Sequence, residues 1–142
     1  MKVSEVMTTD VATVSPDQTA REAASFMLQA DAGSIPVLEN GRLIGMITDR
    51  DIAVRGVAEG HGPDTPVSEL MTNDVVAARV DDDVDEVAVR MSEAQVRRLP
   101  VIDESEQLCG IVSLGDITQK AEDGTAELAL EGITEPGGDH QQ

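Results

Sequence analysis

The chain has 142 residues, and its 28 acidic residues against 10 Lys and Arg give a formal net charge of −18 at pH 7. A field of this sign excludes duplex nucleic acid and anionic membranes as preferred partners. Hydrophobic residues make up 40% of the chain and Phe26 is the single aromatic side chain, so a core of aliphatic residues is expected and base-stacking platforms are excluded.

The acidic, lysine-poor composition has two interpretations, which the sequence leaves open. It resembles the surfaces of salt-adapted proteins, and it also fits an ordinary acidic protein from a GC-rich genome. Cys109 is the single cysteine, so an intrachain disulfide is excluded. No segment resembles a signal peptide or an apolar membrane span, and we therefore expect a cytoplasmic protein.

An internal repeat organises the sequence. Residues 3–11 return as residues 67–75, a shift of about 64 residues that is typical of a small supersecondary repeat. The register continues through Pro36 and Pro100, and after one inserted residue through Gly45 and Gly110. We predict one copy over residues 1–60, a linker over 61–66, a second copy over 67–122 and a flexible acidic tail over 123–142.

In the first copy, a helical turn over residues 4–7 leads to a short strand over 11–14. Ser15-Pro16 has the residue types of a helix N-cap and first position, so a helix is predicted to follow. Its apolar positions are Ala20, Ala23, Ala24, Met27 and, as a further candidate, Leu28. A hairpin with Asn40-Gly41 as its turn comes next.

The second copy repeats this order. The helical turn covers residues 68–71, the strand covers 75–78, and Asp81 or Asp82 is predicted to cap the helix. The apolar positions of that helix are Val84, Val87, Ala88 and Met91. A hairpin over residues 99–112 follows, with a last helical turn near residues 126–130.

Each copy therefore predicts β-α-β-β-α, which belongs to the α/β (α+β) class. A sheet of so few strands cannot cover both of its faces alone. Two copies packed sheet to sheet about a pseudo-two-fold axis solve that problem and create a cleft between them.

One heptapeptide occurs in both copies, as Gly45-Met46-Ile47-Thr48-Asp49-Arg50-Asp51 and as Gly110-Ile111-Val112-Ser113-Leu114-Gly115-Asp116. Each ends a strand and starts a helix, with a hydroxyl at the N-cap and an Asp in the first turn. Phosphate is attracted to helix N-termini and a carboxylate suits a ribose diol. The alternative is a helix cap without a ligand; two equivalent occurrences favour a site.

These segments, together with Val6-Met7-Thr8 and Ile35-Pro36-Val37, resemble the CBS domain, and the duplication looks like a CBS pair, or Bateman module. The resemblance covers roughly residues 1–122 and extends to small stand-alone prokaryotic CBS proteins. It implies that the cleft binds AMP, ADP, ATP or S-adenosylmethionine. Asp51 and Asp116 would hold ribose, while Thr48 and Ser113 would face phosphate. The expected adenine contacts are Val11, Ile35, Pro36, Met46, Val75, Leu99, Pro100 and Ile111.

Phosphate needs a counter-charge in so acidic a chain. Arg97 and Arg98 precede the second Leu-Pro pair, and Arg50 lies inside the first heptapeptide. Since the first copy has Gly33 and Ser34 where the second has the two arginines, we expect unequal sites, with the greater dependence on Asp51. The alternative is that Arg97 and Arg98 pair with surface acids, which contributes little.

The sequence thus predicts a regulatory adenine-nucleotide-binding protein that signals to an unidentified protein partner. An enzyme is not favoured, because His61 and His140 have no partner at recognisable spacing, and we expect no metal because a Cys/His zinc set is missing. The alternatives are an S-adenosylmethionine-binding module and a ligand-free interaction module. A homodimer is expected through Ile52, Val57 and Ile117.

Overall fold

The computed structural model describes the backbone of residues 1–121 and the side chains up to residue 119. These residues form two compact units. Unit 1 combines residues 1–11 with the chain from residue 76 onward, and unit 2 is residues 12–75. Each unit therefore contains the opening segment of the other copy of the repeat. The boundaries of the two sequence copies, at residues 60 and 67, stay a prediction. The predicted tail over residues 123–142 lies outside the described residues.

Unit 2 is built on one helix and one hairpin. Its elements are α1 (Ala20–Ala30), β1 (Ser34–Glu39), β2 (Arg42–Thr48), a π-helical turn (Asp51–Gly56) and 3-10 turns at Val57–Glu59 and Val67–Glu69. Strands β1 and β2 are antiparallel. Asn40 and Gly41 turn between them with φ of 55° and 83°, as the paired positive φ values of a two-residue hairpin turn require.

Unit 1 has the fuller version of the same architecture. Its elements are a 3-10 turn (Val3–Glu5), β3 (Ala78–Arg79), α2 (Val84–Ala94), β4 (Arg98–Ile102), β5 (Leu108–Ser113) and α3 (Leu114–Ala121). β3 is parallel to β4, which is antiparallel to β5. In unit 2 the predicted first strand is reduced to one parallel bridge between Val14 and Val37. The α+β class is confirmed.

Both long helices begin later than the sequence predicts. Thr19, and not Ser15, caps α1: its hydroxyl accepts the Glu22 N–H at 3.2 Å, and its own N–H donates to the Glu22 carboxylate at 3.0 Å. This reciprocal capping box satisfies two otherwise free donors. Ser15 instead donates its N–H to Gln18 Oε1 at 2.9 Å and closes a separate turn.

In α2 the cap is Asp83, whose carboxylate accepts the Asp85 N–H at 3.1 Å. The predicted caps Asp81 and Asp82 are wrong because the chain makes one more turn before the helix. Asp82 closes that turn by accepting the Arg79 N–H at 2.9 Å.

Each unit has its own hydrophobic core. The predicted apolar face of α2 is fully buried in the core of unit 1. In α1, Ala20, Ala23 and Met27 are buried in the core of unit 2. Ala24 is exposed and Leu28 is 83% exposed, so those two predictions are wrong. The buried stripe of α1 runs through Ala20, Ala23 and Met27, and the two residues lie to one side of it.

Candidate functional site

The two heptapeptides have the same hydrogen-bonded geometry. Asp51 Oδ2 accepts the Thr48 N–H, and Thr48 Oγ1 accepts the Asp51 N–H, both at 3.0 Å. Asp116 Oδ2 accepts the Ser113 N–H at 2.9 Å, and Ser113 Oγ accepts the Asp116 N–H at 3.0 Å. These are the predicted caps. Each carboxylate has its second oxygen outside these hydrogen bonds, and each hydroxyl keeps its proton for another acceptor.

Strand alternation places the hydroxyl of unit 2 on the face of the hairpin away from the core. Ile35 is opposite Ile47, and both are buried in the core. The neighbouring pairs in the register are Ser34 with Thr48 and Pro36 with Met46, which therefore share the opposite face. Thr48, Pro36 and Met46 thus share one face of the hairpin, on which Pro36 is buried while Thr48 and Met46 are half-buried.

Unit 1 has the equivalent arrangement with one change. Leu99 is opposite Val112 in the core, while Pro100 is opposite Ile111 and Arg98 is opposite Ser113. The guanidinium-bearing residue therefore lies beside the hydroxyl of its own unit. The expectation that the two arginines also serve Asp51, which belongs to unit 2, stays a prediction.

The remaining expected adenine contacts differ in their positions. Ile35 and Leu99 are 1% and 2% exposed with their side chains in the cores, so only their main-chain atoms remain for a ligand. Val11 and Val75 are half-buried and lie outside the strands. These two residues stay predictions.

The expected phosphate cations also differ from one another. Arg50 is exposed. Arg97 is half-buried and already has an interaction partner, and its carbonyl accepts the Leu114 N–H at 2.8 Å, which fixes the start of α3. Arg98 is half-buried, and its side chain makes no hydrogen bond or ion pair with the described side chains or main chain.

The heptapeptide glycine permits a close main-chain contact that the sequence analysis missed. Thr72 and Met46 exchange both main-chain hydrogen bonds, at 2.8 and 3.0 Å. A Cβ on Gly45 would come within 2.8 Å of Met71 Sδ and of Thr72 O, so any larger residue must move this segment. In unit 1, Thr8 and Ile111 exchange the same two bonds, and Gly110 is equally constrained. The repetition of Met7-Thr8 as Met71-Thr72 was the feature of the sequence that could have indicated this contact.

Arg55 is a second residue that the sequence analysis missed. Its Nε lies 3.8 Å from Asp51 Oδ1, and its Nη1 donates to Met71 O at 3.1 Å and to Leu70 O at 3.4 Å. The available signal was the spacing of four residues between Asp51 and Arg55, which brings two helical side chains together.

The expected dimer surface needs one correction. Ile117 is fully buried in the core of unit 1, so it is unable to contact a second copy. In unit 2, Ile52 packs partly on the core, while Val57 is 71% exposed. Both residues line an apolar cavity of about 240 Å³ between α1 and the π-helical turn, which contains none of the expected ligand-binding residues.

The chain has two small α+β units, and each unit contains one copy of the strand-to-helix motif. This arrangement defines a tandem-domain protein. The CBS domain model matches residues 3–56 and 67–123, and the chain belongs to the CBS-domain family as a CBS pair. The chain is 50% identical over 115 residues to the CBS domain-containing protein YhcV of Bacillus subtilis, with 81% of each protein covered. It is 37% identical over 117 residues to hypoxic response protein 1 of Mycobacterium tuberculosis, again with 81% of each covered.

Solved structures agree with this assignment. The crystal structure of hypoxic response protein I with two coordinated zinc ions has a TM-score of 0.77 at 36% identity, covering 84% of this chain and 98% of that one. The CBS pair of protein MJ0100, in complex with 5′-methylthioadenosine and S-adenosyl-L-methionine, has a TM-score of 0.75 at 28% identity, covering 87% and 98%.

Two properties of the described residues bear on these relatives. No three or more His, Cys, Asp or Glu side chains among them are grouped closely enough to hold a metal ion. The described helices are also all too short or too polar to span a membrane.

Proposed function

We propose that this CBS pair is a regulatory protein that binds an adenine nucleotide, AMP, ADP or ATP, at its two heptapeptides and signals to a partner protein. The observation that supports it most is the matched pair of capping boxes. In both units a hydroxyl and a carboxylate are fixed at the same place, with one carboxylate oxygen outside the capping bonds. In unit 2 that oxygen lies 3.8 Å from Arg55, which is longer than a hydrogen bond, so it can still accept from a ligand. The adenosine compounds bound by MJ0100 support the same ligand class.

The chemistry divides between three parts of each motif. Ribose hydroxyls donate to the available oxygen of Asp51 or Asp116, which forms a charge-assisted hydrogen bond. The hydroxyl of Thr48 or Ser113 donates to a phosphate oxygen. The adenine ring lies against the apolar pairs of the same strand face, Pro36 with Met46 and Pro100 with Ile111.

Arg98 favours a nucleotide over S-adenosylmethionine. Arg98 is a half-buried residue opposite Ser113 in the strand register, and its side chain has no partner among the described side chains. A partly buried unpaired cation is unfavourable, and a phosphate supplies the missing charge in a bidentate geometry that suits arginine. S-adenosylmethionine brings a cationic sulfonium in place of phosphate, so it remains the second ligand to test.

The test is calorimetric titration of the parent and of the variants D51N and D116N with AMP and S-adenosylmethionine. Asn retains an oxygen that can accept the capping N–H but removes the charge. We expect each variant to lose affinity for AMP at its own site by roughly 10- to 100-fold, from a charge-assisted bond of about 1.5–3 kcal/mol. Circular dichroism serves as the folding control. Unchanged AMP affinity in both folded variants would place the nucleotide elsewhere, and tighter binding of S-adenosylmethionine would replace the ligand.

A dimeric interaction module is the second candidate, and one observation favours it. Val54 and Val57 are 46% and 71% exposed, and Val57 lines the apolar cavity of unit 2. Burial of such side chains in a symmetric contact is favourable. We expect light scattering to report a homodimer and V57D to shift it toward monomer, with L28D, at an exposed position outside the cavity lining, as the control. A monomeric parent at high micromolar concentration would contradict this proposal.

A further inference from the structure

We propose that Arg55 is a positioning residue that connects the ribose carboxylate of unit 2 to the segment Val67–Thr72. This inference rests on the proposed function, because it concerns how Asp51 is held for a ligand. Ligand binding at Asp51 and the order of that segment are then coupled through one guanidinium.

The segment Val67–Thr72 is part of unit 2 by packing, although it opens the second copy of the repeat. Val67 and Leu70 are 0% and 1% exposed in the core of unit 2. Thr72 is bonded in both directions to Met46 on β2, next to Gly45, where a Cβ would meet the segment. Residue 75 ends unit 2 and residue 76 resumes unit 1, so this segment is the last part of unit 2 before the chain enters unit 1.

Arg55 makes the remaining connection between this segment and the heptapeptide. Its Nη1 is shared between the carbonyls of Leu70 and Met71, which follow the 3-10 turn and favour a cation as helix C-termini do. Its Nε faces Asp51 Oδ1 at 3.8 Å. A planar guanidinium with five donors can serve these acceptors together, which an ammonium group would do less well.

The carboxylate of Asp51 is held from two sides. The Thr48 N–H fixes Oδ2 at 3.0 Å, and Arg55 faces Oδ1. The Asp51 side chain is 13% exposed, whereas Arg55 is 53% exposed. The carboxylate therefore has little freedom while the guanidinium keeps access to water, so Arg55 acts by orienting Asp51 and by holding the main chain of Leu70 and Met71. A ribose that orders Asp51 stabilises the same contacts, and by reciprocity an ordered segment favours ribose binding.

The experiment is a double-mutant cycle on the full chain. R55M keeps the aliphatic stem and removes the charge and the donors. In the parent background, R55M should weaken AMP binding about 3- to 10-fold, which is below the loss expected for a direct charge-assisted contact. In the D51N background, R55M should have no further effect, because the group that Arg55 positions is already changed. R55K should restore part of the affinity.

The matched control is R79M, which removes an arginine that also donates to a main-chain carbonyl, Asp103 O at 3.1 Å, in unit 1. It makes the same change in net charge and should leave the AMP affinity of unit 2 unaltered. Equal losses from R55M in both backgrounds, or an equal loss from R79M, would overturn the positioning role.

Hydrogen exchange separates this inference from the proposed function. Without ligand, R55M should speed exchange of the Met71 and Thr72 amides, and R79M should not. Addition of AMP should slow those amides in the parent and much less in R55M. If the parent fails to bind any adenosine compound, the proposed function fails, while the ligand-free comparison still decides whether Arg55 holds the segment. If R55M leaves the ligand-free exchange of these amides unchanged, the positioning role of Arg55 is overturned.

Discussion

At the scale of single residues, the two sites differ most at the residue opposite the capping hydroxyl. Arg98 is opposite Ser113 in unit 1, and Ser34 is opposite Thr48 in unit 2. The proposed counter-charge for phosphate is therefore local to Asp116. In unit 2, Arg50 is exposed, and Arg55 contacts Asp51 and two main-chain carbonyls. The strand register thus gives unit 1 a cation of its own, and the greater dependence on Asp51 stays a prediction.

The exchange of these two residues gives a prediction for ligand preference. R98S should weaken AMP binding roughly 10-fold and leave adenosine binding nearly unchanged, because a charge-assisted hydrogen bond to phosphate is lost. S34R should strengthen AMP binding at unit 2 while adenosine again stays the same. Calorimetry with both ligands measures the ratio of the two affinities. An equal loss of AMP and adenosine in R98S would show that Arg98 supports the unit and not the phosphate.

At the scale of elements, the sequence predicts best where a local pattern and the core agree. The Asn40-Gly41 turn, both hairpins and the buried face of α2 follow from residue type and periodicity, and the structure contains them. The heptapeptide caps were predictable for the same reason, since a hydroxyl and an acid three residues apart satisfy each other's main-chain donors. The hydroxyl and the carboxylate of each candidate site can therefore be predicted from a single heptapeptide.

The helix starts were less predictable because two signals compete. Ser15-Pro16 and the run of Asp81, Asp82 and Asp83 all contain residues that cap helices. In the structure, the equivalent residues Gln18 and Asp82 close turns instead. The capping box of Thr19 and Glu22 is a local pattern in the sequence, whereas nothing in the run of three Asp residues indicates which of them caps α2.

The contacts between residues that are distant in the sequence could not be predicted, for a related reason. Arg98 comes beside Ser113, and Thr72 beside Met46, through strand register and close main-chain approach. Both contacts join residues more than ten positions apart, and single-residue patterns carry no information about such pairs. Arg55 is intermediate: its spacing from Asp51 is visible in the sequence, but its bonds to Leu70 and Met71 are not.

At the scale of the whole molecule, the net charge of −18 acts on folding itself. Few cations are available to offset it, and those with described acidic partners include Arg90, which donates to Asp82 at 3.0 Å. Burial raises the pKa of Asp82, but hydrogen bonds from the Arg79 N–H and from Arg90, together with both arginine charges, outweigh it, so the pKa is lowered. Asp82 therefore adds stability above the pKa of an unfolded Asp, about 3.9, and that stability is lost as the pH falls through its folded pKa.

Salt changes the stability of the folded protein in two opposite directions, because it weakens both the repulsion among acids and the attraction within ion pairs. The last prediction depends on which of the two changes is larger. Screening weakens the repulsion among many exposed acids and also weakens the few ion pairs. Because the Debye length falls from about 10 Å at 0.1 M to about 3 Å at 1 M, and because acids outnumber cations 28 to 10, we expect the relief of repulsion to dominate. The melting temperature should rise by several degrees between these concentrations, where roughly 1 kcal/mol corresponds to ~3–6 °C.

A charge-reduced variant provides the matched comparison for this melting experiment. D10N, D74N and E86Q together change three exposed acids and bring the net charge from −18 to −15. This variant should melt higher than the parent at 0.1 M NaCl and gain less from added salt, since less repulsion is left to screen. Choline chloride at equal ionic strength should act like NaCl if screening is the cause. A melting temperature that stays flat or falls with salt in the parent would favour an ordinary acidic surface, and a steep rise shared by parent and variant alike would indicate an effect of salt other than charge screening.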